Sequence, residues 1–186
     1  MATPSRGPDA VKAALIEAAT DLFATQGDAS VRAVAERAGV NHGLVHHYFG
    51  GKSGLRAAVL DRLAQGLHES LDVPPGSDTA QVGRAALRVT EQDPRMVKIL
   101  ARALLDGELP QQLQSVFPVV SRLLAARSSV DRKETRAAIA EGLAMALGAV
   151  VFGSWIRVAV GLSDEEFEQI RDEAITRGID RLGTTS

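Results

Sequence analysis

Apolar residues recur along the start of the chain with a helical period. Val11, Ala14, Leu15, Ala18, Ala19, Leu22 and Phe23 fall at i, i+3, i+4, i+7, i+8, i+11 and i+12, a single stripe on one helix face. Gly27 follows as a helix-ending glycine. Ser30 then offers a hydroxyl that caps a short second helix, with Val31, Val34, Ala35 and Ala38 inward and Gly39 at its end. Asn41 caps a third, very short helix through Phe49, and Gly50-Gly51 interrupts the chain again. A long fourth helix carries Leu55, Val59, Leu63, Leu67 and Leu71 at intervals of four, and Pro74-Pro75-Gly76-Ser77 reads as a linker. Five more helices are predicted at about 78–92, 95–106, 110–128, 131–161 and 164–182, with breaks at Asp93-Pro94, Gly107 and Pro110, Ser128–Asp131 and Ser163-Asp164. Pro118 should kink or split the third of these. No hairpin dipeptide lies between alternating β-branched runs, so no strand is expected. The pattern predicts an all-α chain of about nine helices, with domains at 8–68 and 77–186.

Composition narrows the function. The chain has 186 residues, 45% hydrophobic and 24% charged, which suits a packed core and argues against wholesale disorder. Aromatics are only 4%, with one Trp and one Tyr, too few for a carbohydrate cleft or a stacking platform for single strands. The absence of cysteine excludes a disulfide framework, thiolate metal sites and a cysteine nucleophile. The opening MATPSRGPDA is polar and lacks the apolar core of a signal peptide, so a cytoplasmic location is expected. The net charge of −2 is unevenly spread: residues 1–60 carry six Lys/Arg against five Asp/Glu, and the remainder 15 against 18. Between residues 29 and 56 the count is four basic to one acidic, with three of the four histidines added. Such a patch hints at a nucleic-acid partner.

The informative stretch is SVRAVAERAGVNHGLVHHYFGGK, residues 30–52. Two helices crossing steeply need a small residue at the crossing, which Ala35 supplies. The turn needs a residue tolerant of positive φ four positions later, which Gly39 supplies. Val40 is then buried by the turn, and Val45, ten positions after Ala35, anchors the second helix. This spacing is the helix-turn-helix pattern, here at 31–50. With Val45 and Phe49 inward, the third helix turns His42, Gly43, His46 and His47 outward. A two-turn helix whose free face holds a glycine, three histidines and no acid suits a major groove. Gly43 permits close backbone approach, and the imidazoles can bond to base edges or phosphates. Lys52 opens the fourth helix, where its ammonium and the helix N-terminus can share a phosphate.

These residues resemble a known family. Residues 9–71 are similar to the DNA-binding domain of the tetracycline-repressor (TetR) family of bacterial transcriptional regulators. The signature is an amphipathic first helix ending in LFATQG, then SVRAVAERAGV, then HHYF before a lysine. The resemblance is specific over about 60 residues and architectural beyond them. It implies phosphate and base contacts at Ser30, Arg32, Asn41, His42, Gly43, Leu44, His46, His47, Tyr48 and Lys52. Three positions depart from the common pattern: His42 stands where Lys or Arg is frequent, Leu44 where Thr or Ser is frequent, and His46 where Tyr is frequent. Leu44 cannot bond a phosphate but can touch a thymine methyl.

Other readings of the same residues are weaker. His42 and His46 have zincin-like i, i+4 spacing, but position 43 is Gly and no third ligand is suggested, so no metal is expected. Gly50-Gly51-Lys52-Ser53 imitates the end of a phosphate-binding loop, but the required first glycine would be at position 46, which is His. Arg37 reads as an ordinary solvated charge. No Ser/His/Asp set or paired carboxylates suggest catalysis, so neither an enzyme nor a cofactor is expected. A helical adaptor dimer that does not bind DNA is the alternative.

Residues 143–162, LAMALGAVVFGSWIRVAVGL, form a twenty-residue apolar run interrupted by Arg157. Its Ala and Gly content favours a closely packed helix in a dimer core over a membrane span. The resemblance implies a homodimer through the last two helices, which reads palindromic double-stranded DNA. It also implies an effector pocket in each C-terminal domain, whose occupation releases the operator. Phe117, Met145, Phe152, Trp155 and Arg157 are the candidate lining residues, for an apolar or weakly anionic small molecule. Protonation of the histidines in acid would strengthen phosphate contacts.

Overall fold

The computed structural model describes residues 7–74, 76–77, 79–107 and 132–183. Among these, every regular element is a helix: α1 (Pro8–Gln26), α2 (Val31–Ala38), α3 (Gly43–Phe49), α4 (Lys52–Ser70), α5 (Thr79–Gln92), α6 (Arg95–Leu105), α7 (Arg132–Val160) and α8 (Asp164–Gly183). The chain is all-α, as its patterning predicts. The helix expected at 110–128, with Phe117 and Pro118, lies outside the described residues.

Each break has a local cause. Pro8 opens α1, where its missing N–H costs nothing. Gly27 ends α1 at φ 68 and ψ −63, and the Asp28 N–H donates to the Gln26 carbonyl at 2.7 Å, a tight γ-turn that only glycine adopts readily. The Ala33 N–H donates to Ser30 Oγ at 3.1 Å, so Ser30 caps α2 as its position suggests. Gly39 closes α2 in the left-handed region at φ 67, with the Val40 and Gly39 amides donating to the carbonyls of Ala35 and Glu36. Between α7 and α8, Glu166 N–H donates to Ser163 Oγ while Ser163 N–H donates to Glu166 Oε2 at 2.8 Å. That reciprocal pair is a capping box, and the Ser163 amide holds the Glu166 carboxyl below its ordinary range.

The described parts of Met1–Ala64 and Lys98–Val116 form one compact unit, and those of Gln65–Val97 and Phe117–Ser186 form a second. In the first, Leu15, Val34, Val45, Leu55, Val59 and Ile99 are fully buried. Among its described residues Arg56 is a buried cation, 3% exposed, which pairs with Asp106 at 3.1 Å and lies over the Phe23 ring. Asp106→Ala is therefore expected to destabilise this unit by about 2 kcal/mol, read from the denaturant midpoint. The loss is smaller than the ~3–5 kcal/mol of a wholly buried pair because Asp106 is 29% exposed. A midpoint unchanged from wild type would refute a stabilising role for the pair.

In the second unit, Leu71, Val82, Ala85 and Ile139 form a core cluster, with Leu67, Val73, Ala86 and Val89 packed against it. Gly153 of α7 lies so close to the Phe167 ring of α8 that a Cβ there would stand 3.0 Å from it. No single helix among the described residues is long and apolar enough to cross a membrane.

Candidate nucleic-acid interface

The interface is built on α2, the turn at 39–42 and α3. Val45, fully buried, fixes α3 against the unit, and Ala35, buried on α2, leaves room for the crossing. Val40 and Phe49, both expected inward, are half-buried. Asn41 Oδ1 accepts the Gly43 N–H at 2.8 Å, and the Asn41 carbonyl accepts the Leu44 N–H at 3.0 Å. Its side chain thus helps to start α3 from two residues before the first helical position, Gly43, while the cap position expected for Asn41 is held by His42.

The fixed anchor turns the other side of α3 outward. His42, Gly43, His46 and His47 are exposed, and Leu44 and Tyr48 are half-buried beside them. A Cβ at Gly43 would meet only Asn41 Oδ1, at 3.2 Å. That approach is tighter than an ordinary contact, and the Gly43 amide holds Asn41 Oδ1 in place, so the turn at Asn41 itself favours a residue without a side chain. Tyr48 packs edge-on to His47, with centroids 4.9 Å apart, and Lys12 of α1 holds its ammonium 5.4 Å from the Tyr48 ring centre. Lys12 thus stands at the flank of α3, a placement that its position in the sequence did not reveal.

Tertiary structure sorts the basic residues that a count along the sequence treats as one patch. Arg56 is buried. Arg37 makes an exposed pair with Asp21 at 2.8 Å, as an ordinary surface charge would. Lys52, at the first position of α4, is ion-paired with Asp28 of the α1–α2 turn. That hydrogen bond holds the Asp28 carboxyl below its usual range, helped by the charges of Arg102 and Arg56. Arg32 is exposed on α2 and makes no ion pair with another described residue. Among the described residues, no group of three His, Cys, Asp or Glu side chains is placed to hold a metal ion.

Gly54 also escaped the sequence reading. A Cβ on it would stand 1.8 Å from the Phe49 carbonyl oxygen, so α4 begins in direct backbone contact with the end of α3. A lone glycine within an otherwise helical pattern was the available signal.

The candidate effector residues are placed differently. Phe152 and Trp155 lie on an outer face of α7, 54% and 70% exposed in the single chain, with Met145 further along the same face. Arg157 lies on another side, pairing with Asp164 at 2.8 Å and donating to the Leu162 carbonyl at 3.4 Å. The structure does not bring Arg157 together with the other three. Phe117 lies outside the described residues.

A short exposed helix, anchored by one buried valine across a glycine turn from a capped partner, defines a helix-turn-helix DNA-binding protein. Residues 15–59 match the family described as "Bacterial regulatory proteins, tetR family". The HTH-type transcriptional repressor Rv3405c of Mycobacterium tuberculosis is 39% identical over 178 residues, covering 92% of this chain and 90% of the relative. The HTH-type transcriptional regulator BetI of Escherichia coli is 28% identical over 183 residues, 88% of each chain. Among solved structures, a TetR family transcription regulator from Marinobacter aquaeolei has a TM-score of 0.62 at 17% identity, covering 93% of this chain and 95% of its own. The chain belongs to the TetR family and is a DNA-binding transcriptional regulator.

Proposed function

We propose that the protein is a cytoplasmic homodimeric repressor that reads a palindromic operator through α3 and its copy, and releases it on binding a small apolar molecule. The observation carrying this reading is the outer face of α3: three histidines and a glycine, no acid, on a helix whose register Val45 fixes. Ser30, Arg32, Asn41, His42, Gly43, Leu44, His46, His47, Tyr48 and Lys52 form the DNA surface within a domain at 8–68. The exposed imidazoles supply base-edge contacts, Gly43 permits close approach of the backbone, and Arg32 supplies a phosphate contact. Residues 77–186 carry dimerisation and the effector pocket; Phe152 and Trp155, open on the single chain, lie in the face of α7 that meets its copy rather than in that pocket. The repressor names of relatives support the direction of control.

Selection of bound sequences from random duplex DNA, repeated at several salt concentrations, tests the reading. The expected result is an enriched palindrome with half-sites ~34–36 Å apart and binding that weakens steeply with salt. The variant His42→Glu/His46→Glu/His47→Glu is expected to retain its helical circular dichroism and lose the enrichment, because carboxylates would face phosphates. Enrichment that survives all three substitutions would remove α3 from the interface. A helical adaptor would bind no duplex in either form.

A further inference from the structure

The α1–α2 turn places an acid at the edge of the DNA surface. The γ-turn at Gly27 sets Asp28 two residues before the Ser30 cap, and 71% of its side chain is exposed. Three cations from two other helices of the same unit act on it: Lys52, its direct partner, and, more weakly, Arg102 and Arg56 through their charges. The Gly27 backbone itself lies close to Arg102, whose Nη1 would be 4.0 Å from a Cβ there. Asp106 at the end of α6 pairs with both arginines, at 3.1 Å to Arg56 and 3.2 Å to Arg102. The cluster holds three positive and two negative groups. Lys52 is therefore committed in the free protein, although it opens the helix whose N-terminus faces the proposed phosphate.

We propose that Asp28 is a built-in competitor for the operator phosphate at Lys52, and that this exchange of anions holds affinity below what the cationic surface alone would give. The inference rests on the reading of Lys52 as a phosphate contact. When a phosphate takes the ammonium, Asp28 remains in the field of Arg56 and Arg102, so its carboxylate is not stranded and the exchange is reversible. A carboxylate left beside the incoming phosphate repels it, and Asp28 weakens binding on both counts.

The test is a double-mutant cycle of Asp28→Asn and Lys52→Ala in the full chain, titrated against the operator enriched by wild-type protein at several salt concentrations. Circular dichroism melts report folding for each form. Asp28→Asn is expected to bind about 3- to 10-fold more tightly, with a salt slope steeper by up to ~1, because Lys52 no longer starts neutralised. Lys52→Ala is expected to bind more weakly, and Asp28→Asn to gain less in that background. Weaker binding by Asp28→Asn would make Asp28 a support for Lys52 and overturn the proposal, as would unchanged affinity and slope. Tighter binding by Asp28→Asn with no effect of Lys52→Ala would reduce Asp28 to a repelling charge and overturn both the exchange and the Lys52 contact, leaving the regulator reading intact. An isosteric Asn keeps the turn, so a folding failure is not expected. Should it occur, Asp28→Ser in the same cycle gives the same readouts.

Discussion

Replacing Gly54 with alanine is expected to destabilise the N-terminal unit by about 3 kcal/mol or more and to lower operator affinity on the order of a hundredfold. The new Cβ would stand 1.8 Å from the Phe49 carbonyl oxygen and 2.9 Å from its carbon, both backbone atoms. No rotamer change relieves such a contact; the end of α3 must move by more than about 1 Å, against a close-packed interior. That final turn carries His46 and His47 of the proposed DNA surface. Gly50 at φ 73 and Gly51 at φ 127 already form a turn with little room to adjust. Gly66, on the same helix, supplies the control, because a Cβ there would meet nothing within 4 Å. Gly66→Ala is expected to be neutral or stabilising by up to ~1 kcal/mol through helix propensity. Denaturant midpoints and operator titrations of the two variants would settle the matter. A wild-type midpoint and affinity for Gly54→Ala would refute the contact.

The contrast between these glycines shows where a sequence stops being legible. Helix ends could be read because each is set by chemistry within a few residues: the Ser30 hydroxyl and Ala33 amide, Gly39 and the two carbonyls before it, Ser163 with Glu166. The helix-turn-helix core was legible for the same reason, since Ala35, Gly39 and Val45 obey a short fixed spacing. The fate of the charges was not. Lys52 and Asp28 are 24 residues apart and Arg56 and Asp106 are 50 apart, so nothing local distinguishes a buried arginine from one facing a phosphate. The α7 helix fails differently. It is apolar nearly all round, so periodicity does not say which side meets its own chain. Phe152 and Trp155 stand open on the single chain, and residue type alone does not distinguish a side chain that meets an effector from one that meets a second copy.

That exposure leads to the second large effect. Phe152, Trp155 and Val158 follow one another on a face of α7 at 54%, 70% and 68% exposure, an apolar surface too large to leave in water without consequence. Packed against its copy, the face would be buried, and each dimer would carry two α3 helices. The variant Phe152→Glu/Trp155→Glu places two charges there, so a two-fold interface over this face would bury four carboxylates. Because neither side chain is buried within the chain, the helical signal and the core of each unit should persist. The expected product is a folded monomer by light scattering at micromolar concentration. Its affinity for the palindrome should fall by on the order of 10²–10⁴, the factor lost when the second half-site is no longer bound intramolecularly. Its affinity for an isolated half-site should match that of wild type. A variant that remains dimeric would move the interface elsewhere. A monomer that binds the palindrome as tightly as wild type would instead show that α3 reads its operator alone.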